Sequence, residues 1–463
     1  MRMTWNTKTE IINTQYMATW LTKWDPEDNV FWEAEGKKIA WRTLWITTVS
    51  LILSFATWFM VSAIVVKLPG IGFKFTQNQL FWLAAMPGLA AGTLRIVHTF
   101  LLPIYGTRHV VTFAKAIKLI PCIGFGLAVM NLNTPYWVFM VLAFTAGFGG
   151  GDFSSHMPST NLFFPKRLKG TALGIQAGIG NFGVSLAQFM TPALLGIAIY
   201  GAPQVYTKIN PATKEILGTV NIYLQNATLW YVPLIVIWTI VCWRFLRSIP
   251  IKASFKEQLD IFKEKHTWYC TITYMMTFGT FAGLSAAFPL MIKSLYGNFE
   301  GAPDPLEFAF YGPLIGSASR VLFGFLADKV GGAILTTITG IGLIIGIIMM
   351  VGMGLVAPTS MDSFPMFVAV TLSMFFFTGI GNAATFRQFP IIFQTNPRQA
   401  AGVLGWTSAV AAYGPFIFSI LIGTIISSTK TANNFFIGLL VFVVLATWIN
   451  WNCYNKKGCE RPC

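Results

Sequence analysis

The sequence predicts an all-α integral membrane protein with twelve transmembrane helices in two six-helix halves. Three observations carry this. The 463 residues are 54% hydrophobic and only 11% charged, and mean hydropathy is +0.61. Soluble domains carry about 25% charged residues. Twelve runs are apolar enough to cross a bilayer, which takes about 20 residues of helix. The longest internal polar stretch, Arg247 to His266, falls between the sixth and seventh run. So little charge excludes an ordinary soluble enzyme, a disordered chain and a nucleic-acid binder.

The runs fall at roughly 43–66, 80–102, 110–130, 136–163, 171–200 and 228–247, then 267–293, 307–327, 333–357, 364–393, 401–428 and 434–453. This divides the chain into a polar N-terminal segment (1–42), a first half (43–247), a central loop (248–266), a second half (267–453) and a tail (454–463). The net charge of +15 is read by position. With both termini on one side, 21 lysines and arginines fall in segments on that side and six on the other. Positive charge is retained in the cytoplasm, so both termini are expected there. Residues 1–40 are polar and mixed in charge, unlike a signal peptide. Cys122, Cys242, Cys270, Cys453, Cys459 and Cys463 lack zinc-site spacing and read as free thiols. No metal or other cofactor is expected.

Five cations remain inside the spans: Arg95, Lys115, Lys118, Arg320 and Arg387. A charge at mid-bilayer costs about 2.5–3.5 kcal/mol on insertion scales, so it needs a reason. Arg95 lies deep in the second helix and Arg320 in the eighth, its counterpart 225 residues on. Neither has an acid three or four residues away. Two buried guanidiniums, one per half, ask for an anion, and the guanidinium fork matches a planar oxyanion. Backbone carbonyls or a distant acid are the structural alternative. Lys115 and Lys118 sit near the inner end of the third helix, at its start, and are expected to snorkel to the headgroups. Arg387, near the inner end of the tenth helix, fits either a structural or a functional role.

Phe153 on the fourth helix and Phe278 on the seventh are placed to line a central cavity. Their faces would give an anion a flat, dry enclosure rather than charge attraction. The fifth helix carries Gly174, Gln176, Gly178, Gly180, Asn181, Gly183 and Ser185. Glycines at that spacing allow close helix contact, and the amides could face a pathway. A second internal likeness pairs Gly147-Phe-Gly-Gly150 with Gly379-Ile-Gly-Asn382, 232 residues apart. Two related six-helix halves with a midplane site are the plan of the major facilitator fold. Gly324-x-x-x-Asp328-Lys329-x-Gly331-Gly332 looks like that superfamily's conformational loop motif, and Gly106-Thr107-Arg108 a degenerate copy. No nucleotide-binding motif is present.

Beyond the class, the chain resembles the nitrate/nitrite porter family of the major facilitator superfamily, in particular its bacterial NarK-type members. The residues that carry this are Trp24-Asp-Pro-Glu-Asp28, Phe31-Trp32, Gly72-Phe-Lys-Phe-Thr76, the helix-2 arginine context, Phe163-Phe-Pro-Lys166, and Gly178-Ile-Gly-Asn-Phe-Gly-Val-Ser185. Thr277-Phe-Gly279, Phe310-Tyr-Gly-Pro313 and the helix-8 arginine add to them. The resemblance implies that Arg95 and Arg320 bind nitrate or nitrite, that Phe153 and Phe278 enclose it, and that Tyr274 lies near it. It further implies that Asn181, Gly180 and Ser408 belong to the substrate site, and that Gly324, Asp328 and Gly332 form the conformational motif.

The chain departs from the family's exchangers at Asp152 and Gln176, where they carry asparagine, and at His98, where they carry an aromatic. His156 lies one turn after Asp152. The protonatable Asp152, His156 and His98 favour proton-coupled nitrate uptake over strict nitrate/nitrite exchange; Asp152 paired with an arginine is the structural alternative. A porter for another small anion is a further alternative. Four histidines without a catalytic pattern argue against an intramembrane enzyme, and no signalling domain supports a sensor. The expected partners are nitrate, nitrite, protons and the lipid bilayer of a bacterial inner membrane, with each chain a functional monomer.

Overall fold

A computed structural model describes residues 19–209, 215–249 and 256–463. In chain order these contain α1 (Asn29–Ile64), α2 (Gln77–Thr99), α3 (Ile104–Val129), α4 (residues 136–163) and α5 (Lys166–Leu195). An antiparallel hairpin, β1 (Gln204–Ile209) and β2 (Ile216–Ile222), follows. Then come α6 (Asn226–Phe245), α7 (Lys265–Tyr296), α8 (Pro305–Val330), α9 (Gly332–Gly352), α10 (Phe364–Ile392), α11 (residues 397–429) and α12 (Asn433–Asn450). Ten helices among the described residues are continuous and apolar enough to cross a membrane. The other two of the twelve are α4 and α5. α4 is interrupted at Gly147 and Asp152. α5 is diluted by glycines and by Gln176, Asn181 and Gln188. Phe113 and Val441, 69% and 67% exposed, stand on the outer surface, as side chains that face lipid do.

Several elements differ from the sequence expectation. α1 begins at Asn29, not near 43, because Asp28 caps it by accepting from the Val30 and Phe31 amides. Trp32 is buried against Phe164, and Trp24 donates to the Leu162 carbonyl at 3.1 Å. The segment from residue 19 therefore packs on the α4–α5 corner. Residues 1–18 of the expected N-terminal segment lie outside the described residues, as do 250–255 of the central loop. The β-hairpin stands where the sequence reading has only a loop. The tail is tied down as well: Glu460 pairs with Lys265 at 2.8 Å and Arg461 with Glu264 at 3.2 Å.

The chain leaves helical geometry at Gly106 (φ 75°), near the start of α3, and turns after α8 at Gly331 (φ 102°). A β-carbon on Gly106 would lie 2.4 Å from Ser248 Oγ and 2.7 Å from the Trp20 ring. Its φ/ψ of 75°/164° belongs to a region that is essentially glycine-only, where other residues cost about 1–3 kcal/mol. Gly106→Ala is expected to lower the melting temperature of the purified protein, whereas Gly324→Ala, with nothing near its missing β-carbon, should not.

The two sets of six helices meet along α2–α11 and α5–α8. On the hairpin side, Lys67 pairs with Asp304 and Lys293 donates to the Val66 carbonyl, joining the halves. Gln188 donates to the Ser285 carbonyl at 2.9 Å, a further link. This positions the middles of α2, α4, α5, α7, α8 and α10 around a common buried centre.

Candidate functional site

Arg95 lies five turns into α2 and is fully buried. Its Nε donates to the Gly150 carbonyl and its Nη1 to the Ser408 carbonyl, both at 2.7 Å. Gly150 is on α4 and Ser408 on α11, so one guanidinium ties both halves. Its Nη2 has no hydrogen-bond partner among the described residues. Arg320, 4% exposed on α8, leaves both Nη1 and Nη2 without one. Three guanidinium nitrogens, drawn from both halves, thus remain available as donors. Buried polar groups are nearly always bonded, so this concentration makes the centre a candidate ligand site.

Aromatic rings frame the cations. The Arg95 guanidinium lies 4.7 Å from the Phe153 centroid, 5.2 Å from Phe278 and 5.4 Å from Trp58. Arg320 lies 4.8 Å over Phe386. Phe153 and Phe278 are near-parallel, with centroids 6.4 Å apart, and Tyr274 stacks on Phe278 at 5.5 Å. Phe386 meets Phe153 and Tyr274 edge-on. The negative ring faces hold the guanidiniums by cation–π attraction. A five-residue π-turn, Met275–Gly279, carries Phe278 and follows Tyr274 directly. Such turns re-aim side chains within a helix. The Tyr274 hydroxyl is buried beside Arg320 and Ser408 without a well-formed hydrogen bond, and both side-chain polar atoms of Asn181 are buried without partners among the described residues.

The structure therefore brings Arg95, Arg320, Phe153, Phe278 and Tyr274 together, and Ser408 joins through its backbone carbonyl. Gly180 does not turn toward the arginines: a β-carbon there would meet Leu51 at 2.5 Å, so its bare face packs on α1. Trp58 and Phe386 belong to the frame and were missed. Phe386 has a signal in the repeat after Gly379-Ile-Gly-Asn382, but Trp58 has none among sixteen tryptophans.

Lys115 and Lys118 do not snorkel. Both are fully buried. Lys118 pairs with Asp152 Oδ2 at 2.7 Å, and Ser54 Oγ donates to the same oxygen at 2.9 Å. Lys115 donates to Ser54 Oγ at 2.9 Å. The face of α3 that carries both lysines turns into the bundle, where the α4 break presents a carboxylate. Asp152 thus has a lysine partner, not an arginine. Its other oxygen, Oδ1, has no partner among the described residues. His156 shares the Asp152 turn through the backbone, Nδ1 to the Asp152 carbonyl at 2.7 Å. A bond to a carbonyl requires the proton on Nδ1, which leaves Nε2 a buried acceptor without a partner among the described residues. His98 is 2.7 Å from Ser155 Oγ. In the loop motif, Asp328 pairs with Arg387 at 2.8 Å, Gly332 abuts the Ala384 carbonyl, and Gly324 is open.

Arg95, Arg320, Lys115 and Lys118 are all buried here, and the buried carboxylate of Asp152 is paired with Lys118. Fold and site together define a multi-pass membrane carrier with a buried, cation-rich centre between two helix bundles. The major facilitator superfamily model matches residues 46–419. The chain is 54% identical over 450 residues to a probable nitrate/nitrite antiporter, NarK2, of Thermus thermophilus, covering 96% of this chain and 99% of that one. It is 34% identical over 466 residues to the nitrate/nitrite transporter NarU of Escherichia coli K12, covering 96% and 97%. A bacterial homologue of the human lysosomal transporter Spinster, inward-facing and unoccupied, superimposes with a TM-score of 0.63 at 14% identity, over 89% of this chain and 96% of that one. The chain belongs to the nitrate/nitrite porter family of the major facilitator superfamily, a family of transporters and not of enzymes.

Proposed function

We propose that this protein carries nitrate and nitrite across the bacterial inner membrane by alternating access. The observation that carries the reading is the set of unpartnered guanidinium nitrogens on Arg95 and Arg320, one arginine in each half. An oxyanion bound to both neutralises their mutual repulsion and lets the halves close around it. Without it the repulsion between the two cations opposes closure, which couples movement of the halves to cargo. The names of the two relatives agree with this substrate class. The excess of lysine and arginine on the side of the termini favours a cytoplasmic location for them. Each chain is read as a functional monomer.

Uptake is coupled to protons through Asp152, with His156 and His98 beside it. Asp152 Oδ1 and His156 Nε2 are both buried proton-accepting atoms without protein partners among the described residues. Asp152 immediately precedes Phe153 and lies two residues from the carbonyl that holds Arg95. Exchange is the second reading, favoured by the antiporter name of the Thermus relative.

Purified protein in vesicles separates them. With an inward proton gradient and no nitrite in the lumen, nitrate uptake is expected, and a proton carrier should abolish it. Uptake only after nitrite is preloaded would replace coupling by exchange. No flux of either anion under both conditions would overturn the carrier assignment.

A further inference from the structure

The proposed site uses α10 only through the ring of Phe386. We infer that Asn382 on the same helix is a further ligand of the transported anion, donating its Nδ2–H to an oxygen. This rests on the anion-carrier reading. α10 approaches its neighbours through glycines at this level. A β-carbon on Gly379 would lie 1.9 Å from Ser319 Oγ and 2.2 Å from the Gly316 carbonyl, and one on Gly381 2.5 Å from the Thr277 methyl. Ser319 precedes Arg320, and Thr277 precedes Phe278. α10 is thus pressed against the two segments that present Arg320 and Phe278, and Asn382 is its next residue. Phe386, four residues on and on the same helical face, lies under the Arg320 guanidinium and edge-on to Phe153. Asn382 therefore shares the face that α10 turns to the site.

Asn382 is fully buried, and neither its Oδ1 nor its Nδ2 has a hydrogen-bond partner among the described residues. A buried amide without a partner is costly, and an apolar residue of the same size would pack there without that cost. Asn181 on α5 is in the same condition. Each half thus contributes one arginine and one amide. An amide adds a neutral donor, which binds an anion without deepening the positive excess at the centre. Nitrate presents three coplanar oxygens and nitrite two, so the extra donor serves nitrate more.

The test is the concentration dependence of nitrate and nitrite uptake in vesicles, with the nitrate-induced rise in melting temperature as a second readout. Asn382→Leu keeps the branched shape, at a somewhat larger volume, and removes both polar atoms; Asn382→Ala is a second variant should leucine disturb packing. One hydrogen bond to a charged group corresponds to roughly a tenfold to hundredfold effect. The expected result is a rise of that order in the KM for nitrate, a smaller rise for nitrite, little change in maximal rate, and lost nitrate protection. Asn382→Ser, which retains a donor, should recover part of the affinity. Unchanged KM values in the leucine and alanine variants would overturn the inference. So would a fall in melting temperature or maximal rate with KM unchanged, the signature of a packing residue. If neither anion protects the wild-type protein, the carrier reading itself fails.

Discussion

Arg320→Ala is expected to abolish nitrate uptake while leaving a folded protein. Its terminal nitrogens make no well-formed hydrogen bond among the described residues, only a looser approach to the Tyr274 hydroxyl, so their removal costs little structural bonding there. The loss falls on the bound anion. Two charge-assisted bonds at about 1.5–3 kcal/mol each correspond to more than a hundredfold in affinity. Arg320→Lys retains the charge but not the planar fork, and an intermediate loss is expected. Arg95→Ala should differ. Arg95 binds the Gly150 and Ser408 carbonyls, so its loss releases a contact between halves and lowers the melting temperature as well. Uptake paired with melting curves, with and without nitrate, checks the contrast. A folded Arg320→Ala protein with normal uptake would remove the two-arginine site.

The second large effect is at the buried ion pair of Lys118 and Asp152. Lys118→Met leaves a carboxylate buried without its cation, and breaking such a pair from one side costs about 3–5 kcal/mol. A clear fall in melting temperature is expected. Asp152→Asn should be damaging for the converse reason, because it strands Lys118 beside Lys115. The double variant Lys118→Met with Asp152→Asn removes both charges, and much of the stability should return. Its nitrate transport should then no longer respond to a proton gradient. If the double variant is stable and still driven by protons, Asp152 is a structural acid only, and the coupling site lies elsewhere.

These two sites differ in how far they can be read from residues alone. Arg95 and Arg320 each stand in the middle of a long apolar run, with no acid one turn away. Burial, the need for a partner and the exclusion of a local carboxylate are all properties of one helix. Phe386 sits in a repeated pattern and so left a trace. Lys115 and Lys118 are different. A lysine near the end of a span can reach the headgroups or turn inward with the same local sequence. Which occurs depends on the rotation of α3 and on Asp152 arriving from α4. Gly180 shows the same limit: a glycine in a small-residue stripe can face a pathway or a neighbouring helix, and here Leu51 of α1 fills the position.

What the sequence by itself determined is the architecture and the need of two buried arginines for partners. Charge-poor runs of membrane length, a central polar loop and the lysine and arginine bias are sums along the chain, and they need no knowledge of packing. An arginine stranded in such a run is equally a local fact. The tertiary structure alone decided that Arg95 spans the two halves through Gly150 and Ser408, that Lys118 holds Asp152, and that the residues from 19 to 42 clasp the α4–α5 corner. The physical reason is that hydrogen-bond and ion partners of buried groups come from other helices, at separations from 34 residues for Lys118 and Asp152 to 313 for Arg95 and Ser408.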